Sequence, residues 1–161
     1  MDRQQFASMV MEREKTLYKI ARSMLFDAAD QQDAVQEAIT KAWAKRNTLR
    51  EAQYFSSWLV RILINECNSI YRKQSRFVFR ASWEENSLGA VPPENDADLD
   101  AAMDRLPERL RLVVVLHYIE GFKLNEIAGM LHCTQGAVKK RLFDARKMLK
   151  LSIEQDKEAY Q

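Results

Sequence analysis

Apolar residues recur at intervals of three or four through most of the chain, which is the period of one face of an α-helix. The first run covers residues 6 to 26 and predicts a long N-terminal helix. After the polar break DAADQQ, the same spacing continues over residues 34 to 43, and Asp30 is a candidate N-cap for this second helix. Residues 45 to 53 lack an apolar stripe and are expected to be mostly loop.

A third helix is expected to begin at Ser56 or Ser57 and to end near residue 73. Besides an apolar face, it carries a polar stripe at helical spacing, formed by Arg61, Asn65, Asn68 and Arg72 and continued by Arg76. An asparagine amide can read a base edge, and arginine suits phosphate, so the stripe is a candidate nucleic-acid contact. The aromatic residues at the helix entrance are either stacking surfaces for unpaired bases or part of the core: Tyr54, Phe55 and Trp58.

An acidic segment then interrupts the helical pattern. Residues 81 to 104 include seven acidic residues and no basic ones, together with Pro92 and Pro93. This composition predicts a tether with limited structure over residues 77 to 103, joining two basic modules. Helical content resumes with LPERLRLVVVLHYIEG, where Pro107 fits a first helical turn and Gly121 a C-terminal cap, although the valine-rich centre resembles a strand.

The last third of the chain predicts two short helices joined by a tight turn at His132, a position that usually favours glycine. Thr134 is the expected cap of the second helix. One face of that helix is apolar, with Val138, Leu142, Ala145 and Leu149. The rest of its surface is basic, with Lys139, Lys140, Arg141, Arg146, Lys147 and Lys150. A helix held by one face and basic on the other, after a short helix and a turn, is typical of major-groove readers.

Composition limits the other possibilities. A formal charge of +2 gives no global attraction to nucleic acid, so the distribution of charge carries the argument. Cys67 and Cys133 lack metal-knuckle or disulfide spacing, and no phosphate loop, nucleophile elbow or HExxH motif is present. We therefore expect no enzyme, no metal and no cofactor. The polar N-terminus and the lack of an apolar run of about 20 residues indicate a cytoplasmic protein.

Together these segments resemble a bacterial sigma factor of the extracytoplasmic-function group of the sigma-70 family, the minimal type with only regions two and four. QQDAVQEAITKAW and FSSWLVRILINECNSIYRK resemble helices of region two, and LPERLRLVVVLHYIEGFKLNEIAGML followed by TQGAVKKRLFDARKML resembles region four. The resemblance implies an all-α chain of two small helical domains. Region two would occupy residues 1–76 and region four residues 105–161, joined by a flexible acidic linker at 77–104.

The resemblance also implies roles for individual residues. One patch matches the surface that docks on the clamp helices of the polymerase's largest subunit: Asp33, Gln36 and Glu37. The polar stripe matches positions that meet the melted downstream element: Arg61, Asn65, Asn68 and Arg72. The loop that captures a flipped base corresponds to residues 46 to 57. The start of the last helix matches positions that read the upstream duplex element: Thr134, Gln135, Gly136, Ala137, Lys139, Lys140 and Arg141.

The implied function is promoter-specific initiation of transcription. The expected partners are core RNA polymerase, through its clamp helices and flap, promoter DNA, and an anti-sigma factor of the kind that is often membrane-anchored; no small-molecule substrate is expected. The residues alone leave two other interpretations open. One is a stand-alone helix-turn-helix regulator with a helical dimerisation or sensing domain. The other is a protein-interaction adaptor that does not contact DNA.

Overall fold

The computed structural model describes residues 1–78 and 97–159, and in these two ranges the chain forms helices and no strand. The expected all-α fold is therefore confirmed. The helices are α1 (Arg3–Met24), α2 (Ala28–Ala44), α3 (Phe55–Val78), α4 (Ala97–Arg105), α5 (Glu108–Val114), α6 (Leu124–Leu131) and α7 (Gln135–Ala159). Short 3-10 turns at Arg46–Thr48 and Ala52–Tyr54 connect α2 to α3. The chain divides into two compact units, with α1, α2 and α3 in the first and α4, α5 and α7 in the second.

In the first unit, α1, α2 and α3 pack against one another. Each helix contributes apolar side chains that are almost fully buried, among them Leu17, Ile20, Val35, Ala38, Leu59 and Leu63. Phe6 stands at the centre of an aromatic group, with its ring edge-on to Trp43 at 5.2 Å and to Phe55 at 5.9 Å. Edge-to-face pairs at these distances are favourable, so the group joins all three helices.

The N-cap of α2 differs from the prediction. Asp27 caps the helix by accepting the Ala29 N–H at 3.0 Å, three residues before the predicted cap. Asp30 lies in the first turn, where its carboxylate accepts a hydrogen bond from the Gln74 side chain of α3. The prediction of Asp30 as cap was wrong because both aspartates precede the apolar stripe, and only packing against α3 separates their roles.

The start of α3 also differs from the prediction. The helix begins at Phe55, directly after the 3-10 turn, without a serine cap. Ser57 instead donates a hydrogen bond to the Tyr54 carbonyl at 3.2 Å. The prediction that Ser56 or Ser57 caps the helix was wrong because the preceding 3-10 turn already directs the chain into helical conformation. The expected loop over residues 45 to 53 contains only the two short 3-10 turns.

In the second unit, α4 and α5 pack against α7. Leu106, Leu110, Val114 and Ala145 form a buried cluster, and Met103 and Leu149 pack against it. Helix α4 lies partly in the segment that composition assigned to the tether, since its apolar residues recur at helical spacing among acidic ones. Residues 79–96 of that segment are outside the described part of the chain.

Arg111 closes the junction between α4 and α5. Its guanidinium donates to the carbonyl oxygens of Met103 at 3.0 Å, Asp104 at 3.1 Å and Leu106 at 2.8 Å. The last carbonyls of a helix have no partner within the helix, and a cation there is also favoured by the helix dipole. Arg111 therefore serves as a side-chain cap for the C-terminal end of α4.

We expect Arg111→Ala to lower the free energy of unfolding by about 2–3 kcal/mol, because it removes charged donors from several carbonyls at once. Thermal or urea unfolding followed by circular dichroism would measure the loss. Arg109→Ala is the matched control, since Arg109 is exposed on the same helix, and it should change the stability by less than about 0.5 kcal/mol. Equal stability of the two variants would contradict the capping role.

The helical conformation continues beyond the last residue of α5, Val114, as a wider π-helical turn over Val115–Ile119. The Glu120 N–H donates to the Val115 carbonyl at 2.9 Å, five residues back. Gly121 then adopts a positive φ of 75°, and the Phe122 N–H reaches the Leu116 carbonyl at 2.9 Å. The predicted helix between Pro107 and Gly121 is confirmed, as is the role of Gly121 in ending it.

Candidate nucleic-acid interface

The turn between α6 and α7 has the geometry that its sequence predicts. His132 follows the last residue of α6 and adopts the left-handed conformation, with φ 54° and ψ 44°. It is the single non-glycine residue with positive φ among the residues that the structure describes. The Cys133 N–H donates to the Ala128 carbonyl at 3.0 Å, which closes the turn. A side chain in this conformation costs about 1–2 kcal/mol, which the surrounding fold offsets.

Thr134 caps α7, as predicted. Its hydroxyl oxygen accepts the Ala137 N–H at 3.1 Å. Gln135 and Gly136 in the first turn are exposed. The first turn of a helix carries free N–H groups and a partial positive charge, so this end of α7 suits a phosphate or a base edge.

The two faces of α7 separate as predicted. Val138, Leu142 and Ala145 are buried, and Leu149 packs against the buried cluster of the second unit. The basic residues lie on the exposed surface: Lys139, Lys140, Arg146, Lys147 and Lys150. Ala137 is half-buried at the edge between the two faces. The helix is therefore anchored along one side and presents a basic surface along the other.

Arg141 is half-buried and lies close enough to Glu108 of α5 to affect its titration. Burial raises the pKa of the Glu108 carboxyl above its usual value, and the charges of Arg111 and Arg141 partly oppose that rise. Arg141 thus differs from the neighbouring lysines, because its charge interacts with the Glu108 carboxyl of the same protein.

Two aromatic residues on this surface were missed by the sequence analysis. Phe143 is 60% exposed, and it lies between Lys139 and Lys147 on the basic face. Tyr118, at the end of α5, is 51% exposed, and its hydroxyl oxygen accepts a hydrogen bond from Arg146. Phe143 could have been found from the sequence, because its position falls outside the apolar stripe of the helix. The Tyr118 contact has no signal in the sequence.

The polar stripe of α3 lies on the outside of the first unit. Arg61, Asn65 and Arg72 are exposed, and Asn68 is half-buried. The Arg72 Nε donates a hydrogen bond to the backbone carbonyl of Asn68 at 3.3 Å. This bond keeps the Arg72 side chain along the helix. The opposite face of α3 is buried, so the stripe rests on a rigid support.

The aromatic residues at the entrance of α3 have different surroundings. Phe55 is 2% exposed and belongs to the core. Trp58 is half-buried, with its ring 5.9 Å from that of Phe55, and Tyr54 is 54% exposed. The core interpretation is thus confirmed for Phe55, whereas Tyr54 remains available as a stacking surface.

An open groove of about 760 Å³ lies between the start of α1 and the loop that follows α2. Its polar and basic lining includes Gln4, Gln5, Ser8, Arg46, Asn47 and Arg50. Arg46 stacks on the Trp43 ring, 3.8 Å from its centroid, and donates to the Trp43 carbonyl at 2.9 Å. Basic and amide groups meet here in a space large enough for a nucleotide.

A third exposed surface lies on α2. Asp33, Gln36 and Glu37 are exposed, while Ala34, Val35, Ala38 and Ala42 of the same helix are buried. One turn further on, Lys41 forms an ion pair with Glu66 of α3 at 2.5 Å. The hydrogen bond that Lys41 donates to the Glu66 carboxylate raises the pKa of Lys41. The acidic and amide groups therefore face solvent from a helix that is fixed to the core.

Other kinds of site find no support in the described residues. Within residues 1–78 and 97–159, no group of three or more histidine, cysteine or acidic side chains could hold a metal ion. None of the helices in these ranges is long and apolar enough to cross a bilayer. Cys67 is buried and Cys133 half-buried, and neither of these two cysteines forms a disulfide.

Comparisons with known proteins agree with this geometry. Residues 9–77 match the family model described as Sigma-70 region 2, and residues 96–149 match the model described as Sigma-70, region 4. The chain is 31% identical over 146 residues to the RNA polymerase sigma factor SigV of Bacillus subtilis (strain 168), covering 89% of this chain and 88% of the relative.

Two solved structures are also similar. One is the sigma factor RpoE in complex with the anti-sigma factor NepR from Bartonella quintana, with a TM-score of 0.82 and 26% identity over 94% of this chain and 98% of that one. The other is CnrH in complex with the cytosolic domain of CnrY, with a TM-score of 0.71 and 25% identity over 96% of this chain and 91% of that one.

Proposed function

Because the chain belongs to the sigma-70 family, as a member of its extracytoplasmic-function group, we propose that separate exposed surfaces bind core polymerase and the two promoter elements. The protein binds core RNA polymerase and directs promoter-specific initiation, reading one promoter element as duplex and another as melted DNA. We assign region two to residues 1–76 and region four to residues 105–161, with α4 as an N-terminal extension of region four because it packs against α7.

The observation that carries the proposal is the pair of faces on α7. The helix is anchored by Val138 and Leu142 and begins at a capped, exposed N-terminus. We assign the upstream duplex element to the start of this helix: Thr134, Gln135, Gly136, Ala137, Lys139, Lys140 and Arg141. Phe143 joins this set, since an exposed ring on the groove-facing side suits contact with a thymine methyl group.

The downstream element is assigned to the first unit. The stripe of Arg61, Asn65, Asn68 and Arg72 would meet the non-template strand after melting, with asparagine amides toward base edges and arginines toward phosphates. Tyr54 and the groove beside Arg46 and Asn47 offer stacking and hydrogen bonds for an unstacked base. Flipping a base costs a few kcal/mol, so such contacts must offset it.

Docking on polymerase is assigned to α2, through Asp33, Gln36 and Glu37. We expect Glu37→Lys to weaken the binding of core polymerase about tenfold, because a charge that complements a basic partner becomes repulsive. Titration of core polymerase with fluorescently labelled full-length protein measures this. Glu12→Lys, an equal charge reversal at an exposed position of α1, should leave the affinity unchanged. Equal affinities for both variants and the wild type would remove α2 from the docking surface.

We also propose regulation by an anti-sigma factor, because a similar sigma factor, RpoE, has been solved in complex with the anti-sigma factor NepR. CnrH, which is also similar, has been solved in complex with the cytosolic domain of CnrY. The protein would then act in the cytoplasm, where polymerase is found. No catalytic step is assigned to the chain itself, since the chemistry of RNA synthesis belongs to the polymerase.

The direct test is run-off transcription from a promoter template with purified core polymerase, with and without this protein. Specific transcripts that appear only when both proteins are present support the proposal. Specific and tight duplex binding by the chain alone as a stable dimer, without any effect on core polymerase, would instead indicate a stand-alone helix-turn-helix regulator.

A further inference from the structure

Tyr118 and Arg146 meet in the second unit although 28 residues separate them in the chain. The Tyr118 phenol oxygen accepts a hydrogen bond from Arg146 Nη1 at 2.5 Å, and both side chains are exposed. We propose that Tyr118 is a positioning residue for DNA binding, which holds the Arg146 guanidinium toward a phosphate of the upstream duplex. This inference rests on the proposed role of α7 in reading that duplex.

The π-helical turn at the end of α5 supports the position of Tyr118. The turn, Val115–Ile119, places Tyr118 and Ile119 on the surface although the preceding residues are buried. The His117 ring stands edge-on to the Tyr118 ring at 4.9 Å, and His117 Nδ1 is bonded to the Phe122 carbonyl at 3.0 Å. The His117 ring, which this hydrogen bond holds in place, therefore supports the Tyr118 ring. Single π-helical turns inside helices are frequently found at functional sites.

Arg146 belongs to the same side of α7 as the residues assigned to DNA. It follows Lys139 by seven positions and Phe143 by three, which are spacings that keep side chains on one face of a helix. Lys150 extends the same face by one further turn. A duplex that lies along the start of α7 would therefore have its phosphate backbone near Arg146.

The chemistry of the pair suits a phosphate. A guanidinium has five N–H donors, and the bond to Tyr118 uses one of them. The phenol oxygen accepts in that bond, so the other four guanidinium N–H donors remain for a phosphate. A free arginine side chain loses rotamer entropy when it is fixed. Because Tyr118 already holds Arg146 in the folded protein, part of this entropy loss occurs on folding and not on DNA binding.

A purely structural role is the competing explanation, in which the hydrogen bond only fastens α5 to α7. The two explanations differ in the salt dependence of DNA binding. Each phosphate contact adds about 0.9 to the slope of log affinity against log salt concentration. A structural bond would change the unfolding temperature without changing that slope.

The experiment uses full-length protein bound to core polymerase and a duplex that this holoenzyme selects from a randomised pool. We expect Tyr118→Phe to lower the affinity about three- to tenfold and the salt slope by up to about 0.9. Arg146→Gln should cause at least the same loss, and adding Tyr118→Phe to it should cause no further change. Tyr18→Phe, which removes a phenol hydroxyl from α1, is the matched control and should behave as wild type.

Unchanged affinity and slope for Tyr118→Phe would overturn the inference, and so would tighter binding, since that would mean that the bond holds Arg146 away from DNA. An equal loss from Tyr118→Phe with and without Arg146→Gln would also overturn it. Arg141→Glu separates the two proposals. If it abolishes binding while Tyr118→Phe has no effect, only the positioning role fails. If neither variant changes binding, the assignment of α7 fails with it.

Discussion

Arg141→Glu is expected to reduce transcription from promoters that need the upstream element by roughly 100-fold or more. A good contact between a side chain and a base is worth about 1–3 kcal/mol, and the reversed charge adds repulsion from the phosphate backbone. Run-off transcription with reconstituted holoenzyme measures the loss, and a footprint of the upstream element should disappear in parallel.

Arg141 is half-buried near Glu108, so its reversal also places two carboxylates close together within the protein. Lys139→Glu provides a second variant at an exposed position on the same helix, and it should lose upstream binding without a change in unfolding temperature. Arg109→Glu makes the same charge change on α5 and should transcribe as wild type. Normal transcription by both α7 variants would exclude this helix as the reader.

Asn65→Ala is expected to slow promoter opening roughly 10- to 100-fold while leaving the closed complex at nearly wild-type affinity. Its amide is exposed on α3 and would bond to a base only after that base has left the duplex. The loss of such a contact, about 1–3 kcal/mol, therefore falls on the opening step.

A fluorescent base analogue placed in the downstream element follows opening directly, and closed complexes can be measured at low temperature by gel shift. On a template with the downstream element already unpaired, the variant should bind the single strand more weakly than wild type. A wild-type rate of opening by Asn65→Ala would refute the assigned role of this residue, and an equal loss in closed-complex affinity would move that role to duplex binding.

Much of the fold could be predicted because its signals are local. The period of apolar residues identified the helices α1, α2, α3 and α7, and the residue types at the turn identified Thr134 as a cap and His132 as a strained position. Even the valine-rich segment was assigned to a helix correctly, because Pro107 marks its start and Gly121 its end. In each case the residues involved are close neighbours in the chain, and their backbone preferences act without the rest of the protein.

The candidate sites were predictable to a smaller extent. Spacing alone grouped the exposed residues of the α3 stripe and of the basic face of α7, because a helix converts sequence intervals into faces. The same reasoning passed over Phe143, which lies outside the apolar stripe of α7 and is exposed. Helix α4 was also missed, because its apolar residues lie in an acidic segment whose composition predicted a tether.

The sequence by itself determined that this protein is helical, that it carries a helix-turn-helix with a basic face, and that its helices are amphipathic. These properties follow from intervals of three and four residues. Only the tertiary structure decided that Asp27 rather than Asp30 caps α2, that Arg111 closes α4, and that Tyr118 holds Arg146. These contacts join different helices or depend on what packs nearby. Their energies depend on the relative position of the partners, which no local pattern of residues encodes.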